Sequence, residues 1–247
     1  MTDSVIPAPT PASLPVTGTT AVFPVGRVFC IGRNYRWDRQ DTASPVDMPP
    51  WFMKPANAVV PAQGELPYPP GTSDFCHEVE LVVAIGRGGS DIDPAQVEAG
   101  HIWGYAAGLD LTRRDLQQQA KRAGNPWEAA KAFDHSAPCT PLVPAQVCGH
   151  PRQGEVWLAV NGTERQRGDL SELLWPVREL VAMLSRSVAL QPGDLVFTGT
   201  PSGVGPLQPG DVVSGAVADI GRFSMTVCSP PEPAWRSASA SMTGVSS

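Results

Sequence analysis

The stretch 77–85 constrains the fold more than any other part of the sequence. Its β-branched and apolar residues lead into the glycine-rich turn 86–89, a pattern that predicts a strand. Side chains alternate across a strand, so Glu78 and Glu80 are expected on one face. Two close carboxylates repel each other unless a cation or a proton lies between them, and an all-oxygen cluster suits Mg2+ or Mn2+. The pair indicates either a metal site or a strand whose outer face carries two solvated glutamates.

A third carboxylate, Asp110, lies near the end of another predicted strand, 102–111, whose small residues suit close packing. The segment Thr112–Asp115 resembles a capping box with Asp in place of Glu, and it predicts a helix that continues to about Ala123. A carboxylate at a strand end, just before a helix begins, is a common place for a site. Asp110 is therefore grouped with the two glutamates.

The rest of the chain alternates short strands with turns. Asn-Gly at 161–162 predicts a hairpin between strands in 155–167, and apolar spacing predicts an amphipathic helix over about 175–188. Gln-Pro-Gly-Asp occurs at 191–194 and 208–211, where Pro then Gly predicts a type II turn before a strand. The loop 198–205 either cradles a carboxylate with backbone N–H groups or only turns the chain.

Lys54 ends a short predicted strand, 51–54, that Pro55 stops. The position allows an ordinary exposed lysine or an anion contact at the strand end.

The bulk properties narrow the class of protein. The chain has 247 residues, enough for one large domain, and a formal net charge of −6 without a long run of Lys and Arg, so nucleic acid is not expected as a partner. Five scattered cysteines fit neither a disulfide framework nor a zinc cluster, and they indicate a reducing cytoplasm. No apolar stretch approaches the roughly 20 residues of a membrane span, so no membrane partner is expected.

Six motifs in order resemble the fumarylacetoacetate hydrolase family, most closely its fumarylpyruvate hydrolase members. They are Gly-Arg-Asn-Tyr (32–35), Phe-Met-Lys-Pro (52–55), His-Glu-Val-Glu-Leu (77–81), Gly-Leu-Asp-Leu-Thr-Arg-Arg-Asp-Leu-Gln (108–117), Lys-Ala-Phe-Asp-His-Ser-Ala-Pro (131–138) and Thr-Gly-Thr-Pro-Ser-Gly-Val-Gly (198–205). The resemblance implies a catalytic domain over 23–228. The composition, rich in Pro, Thr and Ala at the start and in Ser, Ala and Pro at the end, predicts an extended N-terminal arm, 1–22, and a flexible C-terminal tail, 229–247. The implied fold is α+β, a β-rich core of stacked and rolled mixed sheets with a few short helices, assembled as a homodimer.

The resemblance also assigns roles to residues. It implies that Mg2+ or Mn2+ is held by three carboxylates, Glu78, Glu80 and Asp110. It implies that the substrate, a small 2-oxo acid, is surrounded by Tyr35, Arg114, Gln117, Lys131 and Thr200. Lys131 adds a second positive charge where an enolate forms, and the implied reaction is hydrolysis of a carbon–carbon bond in an acylpyruvate such as fumarylpyruvate, within aromatic catabolism.

The sequence departs from the family at the base that activates water. Resembling hydrolases use His and Glu in the pattern Asn-Tyr-x-x-His-x-x-Glu, whereas this chain has Asp38 and Asp41 at those positions. An unperturbed Asp has a pKa near 3.9 and is a weak base at neutral pH, where His, near 6.5, works well. His135, four residues after Lys131, is within reach of the pocket as a substitute.

Three functions follow from this departure. The first is acylpyruvate hydrolysis with Asp38 and Asp41 as a modified catalytic pair. The second is decarboxylation or tautomerisation of a 2-oxo diacid, which needs no activated water. The third is a catalytically silent protein that keeps the metal and ligand pocket.

Overall fold

The structure is a computed structural model that describes residues 5–8, 10–36 and 49–229. Within these residues short strands dominate and form four sheets, with five short α-helices around them. The strands are β1 (Ser13–Pro15), β2 (Val22–Pro24), β3 (Val28–Ile31), β4 (Trp51–Lys54), β5 (Val59–Pro61), β6 (Gln63–Pro67), β7 (Phe75–His77), β8 (Val79–Ile85), β9 (Ile102–Leu109), β10 (Thr112–Arg113), β11 (Ala137–Cys139), β12 (Val143–Pro144), β13 (Glu155–Val160), β14 (Thr163–Asp169), β15 (Leu195–Phe197), β16 (Gly205–Leu207), β17 (Val212–Val217) and β18 (Gly221–Cys228). The helices are α1 (Pro94–Gly100), α2 (Arg114–Ala123), α3 (Glu128–Lys131), α4 (Ala145–Cys148) and α5 (Val177–Ser187). The α+β class expected from the sequence is confirmed.

The largest sheet has eight strands, and β8 lies in its middle. The strand order is β4-β3-β15-β8-β9-β11-β5, with β12 also paired to β9. Every residue of β8 is buried, as expected for a strand covered on both faces. Leu81 and Val83 pack into one apolar cluster, and Val82 and Ala84 pack into the other, on the face that also carries Glu80.

A five-stranded sheet, β14-β13-β17-β18-β6, packs beside the first one. Asn161 and Gly162 join β13 to β14 with φ values of 52° and 75°. Positive φ at both central residues gives the twist that a two-residue hairpin needs, so the predicted hairpin is confirmed. Gly193 and Gly210 also have positive φ, 94° and 96°, and β15 and β17 begin two residues after them, as the Gln-Pro-Gly-Asp pattern predicts.

The predicted capping box before α2 is wrong. Thr112 and Arg113 form strand β10, which pairs with β7, and Arg113 makes no side-chain cap at the helix start. The Thr112 hydroxyl donates to the carbonyl oxygen of Asp110 at 3.2 Å, while the Asp115 carboxylate accepts from Thr72 Oγ1 at 2.6 Å. Pairing with β7 and these tertiary bonds have displaced the local cap.

Residues 13–24 form a hairpin of β1 and β2 that packs on the body of the protein. Leu14 and Phe23 belong to the same apolar cluster as Val82. The hairpin spans the expected boundary between arm and domain at residue 22, and that division stays a prediction. From residue 230 onward, the expected tail lies outside the described residues.

The five cysteines are free. None of the helices described is long and apolar enough to cross a membrane.

Candidate metal centre

Glu78, Glu80 and Asp110 meet at one edge of the β8–β9 pair. Glu78 lies between β7 and β8, Glu80 is the second residue of β8, and Asp110 follows β9 directly. One ligand oxygen from each carboxylate lies within 4.8 Å of the others, and all three residues are buried. The shared face predicted for Glu78 and Glu80 is confirmed, and the alternative of two solvated glutamates is wrong.

Gly108 on β9 pairs with Glu80 and has no space for a side chain. A Cβ at Gly108 would lie 2.6 Å from Val82 Cγ2 and 2.9 Å from the Phe197 ring. The amide of Asp110 donates to the Glu78 carbonyl oxygen at 2.8 Å and extends the pairing by one residue. Gly108 thus leaves room for the side chains of Val82 and Phe197 beside the carboxylates.

Three cationic side chains contact the carboxylates. Lys131 Nζ donates to Glu78 Oε2 at 2.8 Å and to Asp110 Oδ2 at 2.9 Å. Arg114 donates to Glu78 Oε1. Lys54 Nζ lies 2.9 Å from Asp110 Oδ1 and donates to the Leu111 carbonyl oxygen at 3.1 Å.

Burial and neighbouring charges shift the pKa values of Glu80, Asp110 and Lys131. Burial raises the pKa of Glu80 well above its usual range, and the charges of Asp110 and Glu78 add to the rise. Burial also acts to raise the pKa of Asp110, but Lys131 and Lys54 outweigh it and hold that pKa below its usual value. Burial acts to lower the pKa of Lys131, but Asp110 and Glu78 raise it by more than burial lowers it, so Lys131 stays protonated.

The residues present fit a hard divalent cation. The donor set is three carboxylates, the oxygen ligands that Mg2+ and Mn2+ prefer. Asp110 Oδ1 is buried and lies 2.9 Å from Lys54 Nζ, and Oδ2 accepts from Lys131 at 2.9 Å, so each oxygen of this carboxylate already has a cationic partner.

The loop 198–205 closes the site beside β8. Gly199 donates its amide to Glu80 Oε2 at 2.7 Å, with φ of 101°. Thr200 Oγ1 donates to the Val79 carbonyl oxygen at 2.8 Å. The backbone of this loop is therefore attached directly to the glutamate strand.

The other residues predicted to bind substrate differ in their surroundings. Gln117 is buried on α2, and its Oε1 accepts from Arg114 at 2.6 Å. Tyr35 is buried with no hydrogen-bond partner for its hydroxyl, and burial followed by the Glu80 charge raises its pKa. His135 has an exposed side chain and a φ of 61°. The predicted catalytic pair, Asp38 and Asp41, lies outside the described residues.

Two residues at the site were not assigned to it from the sequence. For Lys54, the position at the strand end favoured an ordinary exposed lysine over an anion contact; the buried ion pair with Asp110 shows that the anion contact is correct. Gln166 bonds to both sides of Glu78 and to the 198–205 loop, and no pattern in the sequence pointed to it.

Comparisons with known proteins identify the family. The chain matches the family model "Fumarylacetoacetate (FAA) hydrolase C-terminal" over residues 27–228. A fumarylpyruvate hydrolase from Ralstonia sp is 43% identical over 177 residues, which cover 72% of this chain and 91% of the relative. An oxaloacetate tautomerase from Escherichia coli (strain K12) is 40% identical over 196 residues, 78% of this chain and 89% of the relative.

A solved structure gives the same family. The crystal structure of fumarylpyruvate hydrolase from Pseudomonas aeruginosa, in complex with Mn2+ and pyruvate, is 47% identical, with a TM-score of 0.87. The match covers 92% of this chain and 99% of that one. The chain belongs to the fumarylacetoacetate hydrolase family of enzymes, as the motifs predicted.

Proposed function

We propose that the protein is a divalent-metal-dependent hydrolase that cleaves the carbon–carbon bond of an acylpyruvate such as fumarylpyruvate. The observation that carries the proposal is the buried group of Glu78, Glu80 and Asp110, with Lys131 bonded to two of its members. A similar protein from Pseudomonas aeruginosa is described as a complex with Mn2+ and pyruvate, which is the 2-oxo acid part of such a substrate.

The carboxylates would hold Mg2+ or Mn2+, and the lysine would provide a fixed charge. The ion, when bound, supplies positive charge against the negative charge that develops on a 2-oxo acid as its neighbouring bond breaks. Lys131 stays protonated at neutral pH because Asp110 and Glu78 hold its pKa above the ordinary value. It therefore acts as a charge and a hydrogen-bond donor rather than as a base.

Polar side chains around this group would orient the substrate. Arg114 keeps its charge beside Glu78 and suits a substrate carboxylate. Because Gln117 Oε1 already accepts from Arg114, its amide NH2 is the end that would donate to substrate. Thr200 and Tyr35 would line the same pocket, and the free Tyr35 hydroxyl is a further donor.

Hydrolysis also needs a base for water, and Asp38 with Asp41 is the proposed pair. The base takes a proton from water, whose oxygen bonds to the acyl carbonyl carbon. The bond from that carbon to C3 of the pyruvate part then breaks, and a proton returns to C3. The products are a carboxylic acid and pyruvate.

An acylpyruvate panel that includes fumarylpyruvate tests this function. We expect loss of the enol absorbance when enzyme and Mn2+ are added together, and release of pyruvate in equal amount to the substrate lost. Glu80→Gln should abolish the reaction because it removes a ligand charge. No turnover across the panel would overturn the proposal.

Tautomerisation or decarboxylation of a 2-oxo diacid is a second candidate. The observation that favours it is the similarity to the oxaloacetate tautomerase, together with Asp38 at the position of the expected His. These reactions need the metal and Lys131 but no activated water. Accelerated enol–keto conversion of oxaloacetate, or release of CO2 from it, without acylpyruvate cleavage would select this candidate.

The variant Asp38→His separates these candidates from a silent binding protein. A large gain in acylpyruvate cleavage would show a complete site that lacks only a strong base. A matched control is Asp219→His, an exposed aspartate in the turn between β17 and β18. A silent protein would bind Mn2+ and oxalate while wild type and both variants turn over no 2-oxo acid.

Assembly and location are also proposed. We expect a homodimer in the cytoplasm, acting in aromatic catabolism. Size-exclusion chromatography with light scattering checks the assembly, and a monomer at micromolar concentration would contradict it.

A further inference from the structure

A single buried amide connects the five-stranded sheet to the metal centre. On β14 the residues around Gln166 are exposed or half-buried, whereas Gln166 itself is fully buried. The strand carries a bulge at this place: Leu158 pairs with Gln166 and Ala159 pairs with Glu164, so Arg165 is the extra residue. A bulge changes the direction of the neighbouring side chain, and here the side chain that turns inward, Gln166, is polar.

All four hydrogen-bonding positions of the Gln166 amide are used. Its Oε1 accepts from the Val79 amide at 3.1 Å and lies 2.9 Å from His77 Nδ1. Its Nε2 donates to Thr200 Oγ1 at 2.8 Å and to the Pro201 carbonyl oxygen at 2.9 Å. Because the Val79 amide can only donate, the orientation of the side chain is fixed and His77 Nδ1 must carry a proton.

These contacts lie on both sides of a metal-ligand candidate. Glu78 is the residue between His77 and Val79, so Gln166 holds the side chain of one neighbour and the backbone amide of the other. The same amide also fixes the hydroxyl of Thr200, whose proton goes to the Val79 carbonyl oxygen. Toward the pocket that hydroxyl therefore presents a lone pair and accepts, rather than donates, a hydrogen bond.

The 198–205 loop is fitted to the bulge. Gly203 has φ of 97°, and a Cβ there would overlap the carbonyl oxygen of Arg165, the bulged residue. Gly168 is also covered, since a Cβ there would lie 2.7 Å from Pro201 Cβ. The loop therefore lies directly on β14, and the Gln166 side chain forms hydrogen bonds across this contact.

We infer that Gln166 is a positioning residue for the metal centre, which sets Glu78 for the ion and the Thr200 hydroxyl as an acceptor toward the substrate. The inference rests on the proposed function, because Glu78 and Thr200 are placed in the site by it. Groups that hold metal ligands from behind change metal affinity by roughly 10- to 100-fold when they are replaced.

The test is Mn2+ binding to the metal-free protein, measured by calorimetry without substrate. Gln166→Met keeps the length of the side chain and removes all four hydrogen bonds. We expect a Kd for Mn2+ about tenfold higher than in wild type. At saturating Mn2+ we expect kcat near the wild-type value with a raised KM, because added metal restores the ion but not the Thr200 hydroxyl.

A matched control is Ser185→Ala, which removes a buried polar side chain in α5. Its hydroxyl donates to the Ala182 carbonyl oxygen at 2.6 Å and accepts from the Ile92 amide at 2.8 Å. We expect Ser185→Ala to bind Mn2+ as wild type does. Equal weakening in both variants would overturn the inference, since it would reduce the effect to lost stability.

The outcomes separate the inference from the proposed function. Wild type that binds no Mn2+ would overturn both. Wild type that binds Mn2+, with an unchanged Kd in Gln166→Met, would overturn the inference alone. If Gln166→Met does not fold, Gln166→Asn replaces it: the shorter amide cannot span both sides, and an unchanged Kd there also overturns the inference.

Discussion

At the scale of single residues, the negative charges of the buried carboxylates are largely compensated by neighbouring cations. Lys54 and Lys131 are almost fully buried, and each contacts a different oxygen of the Asp110 carboxylate. The carboxylate with a lowered pKa is the one that both lysines contact, whereas Glu80, which neither lysine contacts directly, has a raised pKa. A divalent ion would add charge where compensation is weakest, next to Glu80.

Replacing Lys54 should leave the charge of the Asp110 carboxylate less well compensated. Lys54→Met keeps the volume of the side chain but leaves the buried Asp110 carboxylate with one cation, and removal of one partner of a buried ion pair costs about 3–5 kcal/mol. We expect a loss of this size in the free energy of unfolding without metal and a smaller loss with saturating Mn2+. Urea denaturation with and without Mn2+ measures both. Lys121→Met, on the exposed part of α2, is the control; equal losses in the two variants would contradict the prediction.

The titration of Glu80 predicts how the metal-free protein responds to pH. Burial first, and then Asp110 and Glu78, raise its pKa in the folded state. A raised folded pKa gives stability that is present below the unfolded pKa, about 4.3, and is lost as pH rises through the folded pKa. Glu80→Gln keeps an acceptor for the Gly199 amide and titrates no proton there.

We therefore expect metal-free Glu80→Gln to gain stability relative to wild type as pH rises. Thermal unfolding in excess chelator across the pH range measures the difference between the two proteins. A difference that does not change with pH would contradict the predicted shift. With Mn2+ added, wild type should be stabilised and the variant should not be, because ligand binding to the folded state alone raises its stability.

At the scale of elements, the sequence predicts what local chemistry determines. The strand before the 86–89 turn, the Asn161–Gly162 hairpin and the two Gln-Pro-Gly-Asp turns follow from residue type and spacing, and all are present. The shared face of Glu78 and Glu80 follows from strand alternation alone. Local sequence patterns thus predict where the metal-ligand candidates lie.

Tertiary contacts decide the parts that the sequence did not predict. Pairing with β7 places Thr112 in a strand instead of at the expected helix cap. Lys54 is buried beside Asp110, which lies more than fifty residues later in the sequence. The Arg165 bulge interrupts the alternation that would have placed Gln166. Such contacts between distant segments leave no local pattern to read.

The contact between the 198–205 loop and β14 predicts a large effect of one methyl group. Gly203→Ala places a Cβ on the Arg165 carbonyl oxygen and also needs a positive φ, for which a side chain costs about 1–2 kcal/mol. Gly210→Ala needs a similar φ, 96°, but its Cβ would meet nothing within 4 Å. We expect Gly210→Ala to show the conformational cost alone, and Gly203→Ala to lose more stability and at least tenfold in acylpyruvate turnover. Equal losses of stability, with activity kept in both, would show that the loop does not need this contact.

At the scale of the whole molecule, the eight-stranded sheet is covered on both faces, and the N-terminal hairpin takes part in that cover. Leu14 is fully buried and packs in the cluster that contains Val82 and Phe197. The carboxylates lie on this same face, at the end of the apolar row of β8. Cover on this face keeps the low dielectric that gives the site its shifted pKa values.

Leu14→Ala tests whether the hairpin is part of the cooperative fold. Loss of a fully buried leucine costs about 2–5 kcal/mol, so we expect a loss in that range with a single unfolding transition. Val22→Ala, in the paired strand but 59% exposed, is the control and should change stability by less than about 0.5 kcal/mol. Chemical denaturation followed by both tryptophan fluorescence and circular dichroism measures this. A separate early transition, or no loss in Leu14→Ala, would mean that the hairpin unfolds independently and that the sheet keeps its stability without it.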